Sequence, residues 1–558
     1  MKSHRLILAA AALAAGPALS QTVPSFDPAR MSKHVQTLGS DAFEGRAPAT
    51  PSERRTVDYL IEQFRSAGLQ PAGEVINGER QWTQRVPLLK SDIVGAPRVE
   101  FSTPAGAVPL TQGEQITVRS PLNGQQQVAL NGVPMVFAGY GVEAPERQWN
   151  DFKDVDVRGK VIVVLVNDPD FEGGEGDFGG KAMTYYGRWT YKYEEAAERG
   201  AAGVLVVHET EPASYGWATV KNSNTNTMFD VVSTNPAAAH IPLEGWIQRS
   251  TAEALFRSAG LDFEVAKQAA KRRDFRPLDL KSTLTAQVNA KTEVITAYNV
   301  AGMLAGATRP DETIIYTAHH DHLGVGQPDA NGDRIFNGAI DNATGIAQLI
   351  EQARAFARRP RTQRSVVFLA VGAEERGLLG SEYYVANPLF PLAKTVAVLN
   401  TDSMGVFGPA RDFSMSGSAK LDLLDILISQ ARRQGRTFTP DHNPGAGSFF
   451  RSDHFSFAKA GVPALSFESG INLAKGGVAR GKALSEDYTA KRYHQPDDEF
   501  SSGWDFSGMV QDAQLLHAVG YGLANGRQWP NWGADSEFRG LRDQSAGERA
   551  PSPPGERG

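Results

Sequence analysis

Cysteine is missing from all 558 residues. Its absence excludes disulfide cross-links, thiolate-held metals, a cysteine nucleophile and a lipid-modified N-terminal cysteine. Any transition metal bound by this chain is held by histidines and carboxylates. Long apolar runs are also lacking. The stretch "LILAAAALAA" near the N-terminus is about half of the roughly 20 apolar residues needed to cross a bilayer core, and no later window comes closer. A formal charge of -6 provides no basic surplus, so neither nucleic acid nor an anionic membrane is an expected partner. With 41% hydrophobic and 22% charged residues the chain has the composition of a soluble globular protein. At about 100–200 residues per domain, its length predicts two to four domains.

The first twenty residues read as an export signal. Lys2 and Arg5 form a basic head, an apolar stretch follows, and Ala18-Leu19-Ser20 offers small residues for cleavage before Gln21. The mature chain is therefore expected in the periplasm or outside the cell. At the other end, residues 531–558 are rich in Gly, Pro, Ser and charge and are expected to form a disordered tail. Between the ends, Val57, Leu60, Ile61 and Phe64 repeat at helical spacing, with Gly68 placed to end that helix. From about Val118 to Leu280 the texture is β-rich, with "VPMVFAGYG", "GKVIVVLVND" and "AAGVLVVHE" separated by turn residues. The segment "RWTYKYEEAAERGA" predicts a helix between two of those strands.

After Thr292 the pattern becomes alternating strands and helices. "TIIYTA", "SVVFLAVG", "TVAVLN" and "PALSF" are continuous apolar runs, as expected of strands buried on both faces of a mostly parallel sheet. Amphipathic helices are predicted around Ile346–Phe356 and Leu424–Ala431. The fold class is therefore α/β: a mixed, mostly parallel sheet flanked by helices, with a β-rich insert.

Polar residues follow directly on those strands. His319 and Asp321 come after the first, Glu374 and Glu375 after the second, and Asp402 after the third. Active groups of open α/β sheets gather beyond the carboxyl ends of the strands, so these residues are expected on one rim. Asp341, before the first amphipathic helix, and His494, in "KRYHQPDDEF", are expected to join them. Acids crowded together repel unless a cation lies among them, and a His/Asp/Glu set suits zinc. Two divalent ions would be balanced by Asp341, Glu375, Asp402 and one hydroxide, a dinuclear hydrolytic arrangement. On an extended segment, His320 and His322 would face away from His319 and Asp321, toward supporting or surface positions, with an alternative ligand the competing reading for His322.

With these motifs in order, the chain resembles the co-catalytic zinc aminopeptidases of metallopeptidase family 28, whose relatives include glutamate carboxypeptidases and glutaminyl cyclase. The resemblance also rests on "DAFEGRAPATPSERRTVDYLIEQFRSAGLQPAG" and "SDHFSFAKAGVPALSF", and spans about Met31 to Gly526. It implies two zinc ions per chain: His319 and Asp402 on one, Glu375 and His494 on the other, Asp341 bridging both. It implies Glu374 as general base acting on a metal-activated water, Asp321 orienting His319, Tyr493 donating to the oxyanion, and a cis peptide at Asp341-Asn342. The stretch "VFAGYGVEAPERQWNDFKDVDVRGKVIVVL" resembles a protease-associated domain. The expected organisation is a signal peptide (1–20), a first catalytic part (21–117), a protease-associated insert (118–280), the metal-bearing catalytic part (281–530) and the tail (531–558). The implied activity is release of N-terminal residues from peptide substrates. A cyclase-type acyl transferase, a carboxypeptidase and a receptor-like module that does no chemistry are the competing readings. The insert is expected to border the cleft; its aromatic "YYGRWTYKYE" is expected to be core, with contact to substrate the alternative reading.

Overall fold

The computed structural model describes residues 25–173, 176–329 and 331–549, so the predicted signal segment lies outside the described residues. The apolar runs form one sheet. We label its strands β1 (Thr83–Ile93), β2 (Leu278–Leu304), β3 (Arg309–His319), β4 (Arg364–Val371), β5 (Thr395–Thr401), β6 (Asp412–Met415) and β7 (Ala464–Ser469). Their order across the sheet is β1-β2-β4-β3-β5-β7-β6. The central β4, β3, β5 and β7 run parallel; β1, β2 and β6 pair antiparallel at the flanks.

Alternation along the buried strands splits their side chains between two cores, because successive residues of a strand point to opposite faces. Ile314, Tyr316, Val366, Phe368 and Leu399 pack on one face, with α1 (Pro28–Leu38), α2 (Pro51–Ala67), α3 (Ala343–Ala357) and the helix Ser507–Asn525. Ile315, Val367, Leu369 and Val398 point the other way, to Tyr384 and Phe457. The predicted helix at Val57–Phe64 is α2. Thr50 caps its start by accepting from the Glu53 amide, and Gly68 ends it at φ 88°, a left-handed conformation that only glycine adopts without strain.

The insert has its own core, which runs from Val99 to Val288 rather than from Val118 to Leu280. The hairpin Arg98–Thr103 and Gly106–Leu110 pairs onto β2 and belongs to this layer. Its alternation is short and broken by exposed residues, which is why composition placed the boundary later. Three parallel strands, Val161–Leu165, Gly203–His208 and Leu243–Gln248, form its centre, and the predicted helix is Trp189–Glu198.

The tail expected to be disordered is folded through residue 549. Trp532, Phe538 and Arg542 are buried; the Trp532 indole donates to the Gly461 carbonyl at 3.0 Å and the Arg542 guanidinium to that of Thr395 at 3.0 Å. Three anchors spaced among polar residues hold the segment, and an average over composition does not register them. Among the described residues, no helix is long and apolar enough to cross a membrane.

Candidate metal centre

The centre is assembled at the carboxyl ends of three adjacent parallel strands. β3 ends at His319, β4 leads into the turn carrying Glu374 and Glu375, and β5 is followed by Asp402. Asp341 stands before α3, whose start is capped by the Asn342 side chain accepting from Gly345 N at 2.9 Å. The peptide Asp341-Asn342 is cis.

His319 Nε2 lies 3.2 Å from Asp341 Oδ1 and 3.2 Å from Asp402 Oδ1. His494 Nε2 lies 3.3 Å from the other Asp341 oxygen and 3.2 Å from Glu375 Oε2. Asp341 is thus shared between two imidazole–carboxylate clusters. Ligand atoms about 2.0–2.1 Å from a tetrahedral zinc stand about 3.3 Å apart along each edge, a spacing these donors match. Glu374 Oε2 is 4.0 Å from His319 Nε2, close enough to reach the same space.

The electrostatics follow from burying acids and imidazoles together. Burial would lower the His319 pKa, but the Glu374 and Asp402 charges hold it well above the ordinary value. The Asp341 carboxyl is opposed by burial, yet hydrogen bonds from His319 and His494 keep it well below the usual range. Burial pushes Glu374 the other way, well above it, helped by Glu375, Asp402 and Asp453. Protons on these imidazoles occupy the nitrogen positions that a divalent cation would take, since metal and proton compete for the same lone pair.

The neighbours of each residue are specific. Asp321 was expected to orient His319 with its carboxylate. The His319 Nδ1 lies 3.2 Å from the Asp321 carbonyl and 3.9 Å from its carboxylate, which also accepts from the amides of Glu374 (3.0 Å) and Glu375 (3.3 Å) and so fixes the turn that carries them. Tyr493 stacks on His494 with ring centroids 4.0 Å apart. Although Tyr493 is 45% exposed, the packing around its hydroxyl and the nearby Asp341 and Glu375 charges raise its pKa, so the hydroxyl stays protonated. Ser452 donates to Asp402 Oδ2 at 2.7 Å and Asn400 supports Ser452 at 2.8 Å.

His322 does not face away from the acids. It is fully buried, and its Nδ1 meets Glu375 Oε1 at 2.6 Å. By distance alone it forms a possible ligand group with Asp341 and Glu375, as Glu374 does with His319 and Asp402. The strand ends at His319, and beyond it the two-residue alternation no longer applies. His320 hydrogen-bonds the Tyr298 carbonyl at 2.8 Å, a supporting position.

Two contributors carry no signal in residue type alone. Asp498 accepts from the amides of Ile340 (3.0 Å) and Asp341 (3.0 Å), setting the backbone at the shared aspartate. Arg46, buried, donates to the carbonyls of Leu38, His320, Asn337 and Gly338 at 2.6–2.9 Å. The motifs containing them, "DAFEGR" and "HQPDDEF", are visible in the sequence, but their partners are not.

Residues 299–517 match the sequence model of Peptidase family M28, and the chain carries a domain of that family. Aminopeptidase NAALADL1 of Mus musculus is 30% identical over 177 residues, covering 27% of this chain and 22% of that protein. A probable zinc metalloprotease of Pyricularia oryzae is 35% identical over 107 residues, 19% of this chain and 21% of that protein. The chain thus matches only about a fifth of the length of these curated relatives. Among solved structures, the aminopeptidase from Aneurinibacillus sp. strain AM-1 is similar with a TM-score of 0.49 and 18% identity, covering 90% of this chain and 95% of that one.

Proposed function

We propose that this chain is a dinuclear zinc exopeptidase acting as an aminopeptidase on peptide substrates. The observation that carries the reading is the sharing of Asp341 between His319 and His494, each beside a second acid at 3.2 Å. His319 and Asp402 would hold one ion, Glu375 and His494 the other, and Asp341 both. Zinc bound there supplies Lewis acidity toward water and toward the scissile carbonyl. Glu374 takes a proton from the attacking water and returns it to the leaving nitrogen; burial among like charges makes it a stronger base than an exposed carboxylate. Tyr493 donates to the oxygen that becomes negative as the carbonyl carbon turns tetrahedral. The net reaction adds hydroxyl to carbon and hydrogen to nitrogen across the peptide bond.

The printed activities of the relatives favour the aminopeptidase direction over a carboxypeptidase or a cyclase. The retained Glu374 and complete donor set disfavour a receptor-like module. The β-rich layer is read as a protease-associated domain, and export to the periplasm or beyond as the consequence of residues 1–20.

Metal analysis with a panel of aminoacyl amides and N-blocked peptides tests this reading. Two zinc ions per chain and release of amino acids from free-amine substrates only are expected. Cleavage of blocked peptides with release of the C-terminal residue would reverse the direction, and pyroglutamate formation with a single zinc would replace hydrolysis by cyclisation.

A further inference from the structure

The carboxylate oxygens of Asp341, Asp402 and Glu375 are used unequally. Both Asp341 oxygens face imidazoles, Oδ1 toward His319 and Oδ2 toward His494. Asp402 offers Oδ1 to His319, and its Oδ2 is held at 2.7 Å by the Ser452 hydroxyl. Glu375 follows the same rule with a different partner. Its Oε2 lies 3.2 Å from His494 Nε2, and its Oε1 meets His322 Nδ1 at 2.6 Å.

That shorter separation decides what His322 does. Donors sharing one zinc stand about 3.3 Å apart. The other imidazole–carboxylate pairs of this centre match that spacing at 3.2–3.3 Å. At 2.6 Å the two atoms instead share a proton in a charge-assisted hydrogen bond. An ionised carboxylate only accepts, so the proton belongs to His322 Nδ1. The other ring nitrogen, Nε2, is sealed from solvent and has no hydrogen-bond partner among the described residues. The ring is also wedged in place. A Cβ on Gly338 would come within 2.6 Å of it, and the Gly338 carbonyl is itself held by Arg46 Nη2 at 2.9 Å. Fully buried, His322 is set to hold one oxygen of Glu375 and nothing else.

We propose that His322 restricts Glu375 to ligation through a single oxygen. With Oε1 tied to His322, the second ion is offered His494 Nε2, Glu375 Oε2 and Asp341 Oδ2, which makes three protein donors. A tetrahedral catalytic zinc keeps its fourth position for water or substrate, whereas a fourth protein donor closes the site. Released from His322, Oε1 would be free to turn inward and take that position. His322 therefore acts through Glu375, as a positioning residue and not as a ligand. The inference rests on the dinuclear peptidase reading above and adds to it the residue that keeps one metal position open.

The test uses the full chain as wild type, as His322→Phe, which fills the space without a donor, and as His322→Asn, whose amide N–H reaches toward the place of Nδ1. All three are expected to bind two zinc ions by elemental analysis. His322→Phe should lose about ten- to a hundredfold in kcat toward leucinamide, the usual cost of removing a partner that orients a ligand, and His322→Asn should recover most of it. Cobalt in place of zinc gives a readout apart from turnover, because its visible absorption weakens as the coordination number rises. The His322→Phe bands are expected to weaken and the His322→Asn bands to match wild type. Unchanged absorption in His322→Phe, whatever its turnover, would overturn the proposal. Loss of one ion from that variant would also overturn it, by making His322 a ligand. Either result, with two zinc ions and leucinamide turnover in the wild type, leaves the peptidase reading standing; a wild type that binds no zinc would sink that reading and the proposal with it. If His322→Phe fails to fold, a crystal structure of the zinc-loaded wild type decides. One Glu375 oxygen within about 2.0–2.2 Å of zinc with the other on His322 is expected, and both oxygens on zinc, or a His322 nitrogen there, would overturn the proposal.

Discussion

Glu374 and Glu375 are neighbours in the chain and opposites in chemistry. Burial opposes ionisation of both, but His494 and His322 hold Glu375 below the ordinary carboxylate range, whereas Glu374 faces other acids and is driven above it. One is suited to ligation and the other to carrying a proton. Glu374→Gln should therefore lose about a hundred- to ten-thousandfold in kcat, the usual worth of a positioned base. Elemental analysis of that variant should still find its metals. Loss of the metals together with activity would make Glu374 a ligand instead. Asp498 acts through backbone: its carboxylate binds two successive amides leading to the shared aspartate. Asp498→Asn removes one acceptor oxygen and should weaken metal retention by about ten- to a hundredfold, as supporting partners of ligands commonly do. Competition against a chelator measures it, and unchanged retention would reduce Asp498 to a fold-stabilising contact.

At the scale of elements, much of the centre was legible because a parallel strand announces itself twice. Its apolar run gives the sheet, and the first polar residue after it gives the rim, as at His319, Glu374 and Asp402. What could not be read was contact across distance. Arg46 lies 274 residues from His320, whose carbonyl it binds, and no local pattern encodes that pairing. His322 was misplaced because strand alternation was extended past the last strand residue. The hairpin at Arg98–Leu110 and the anchored tail escaped for a related reason: each is held by a few residues docked on a remote surface. These docked elements can be tested singly. Arg46→Lys replaces a rigid fork on four carbonyls by one ammonium. It should cost about 2–4 kcal/mol, since several buried carbonyls lose their donor, and denaturant unfolding would show it. Trp532→Ala removes the indole that fastens the C-terminal segment, and should cost about 3–5 kcal/mol of stability. A loss well under one kcal/mol would mean the segment rests on the body without contributing to it.

Over the whole molecule, β2 makes the two cores one object. Its first half pairs with the insert's strands, Ala290 to Val300 pairs with β1, and Val300 to Leu304 pairs with β4. The insert is thus tied to the metal domain through a continuous strand. A chain this deeply packed buries titratable groups of both kinds, and they oppose each other in the pH dependence of stability. Burial raises Glu53 to about 8 and Glu382 and Glu468 to about 7. Stability from these acids is complete below their unfolded pKa and declines as pH rises through the folded values. The buried histidines do the reverse. Burial lowers His34 to about 4, and His454 and His517 to about 3, so each stays neutral in the fold where the unfolded chain would bind a proton. Their contribution is full above an unfolded pKa of about 6.5 and is lost as pH falls toward the folded values. Between about pH 4.5 and 6.5 the two sets offset one another, so the wild-type profile conceals both. His517 separates them. Its ring lies among Phe356, Tyr521 and Phe26, with centroids 4.4, 5.8 and 5.9 Å away, and its one hydrogen bond among the described residues is 3.3 Å to Gln352. Phenylalanine fits that aromatic nest and cannot titrate. Loss of the Gln352 contact shifts the His517→Phe variant by a constant, whereas loss of the titration makes the gap between variant and wild type depend on pH. The variant should gain on wild type by about 1.4 kcal/mol for each pH unit between 6 and 4, the slope of one proton. Urea unfolding of both proteins at a series of pH values reads the gap directly, and a gap that stays flat would mean that His517 takes up its proton without leaving the fold.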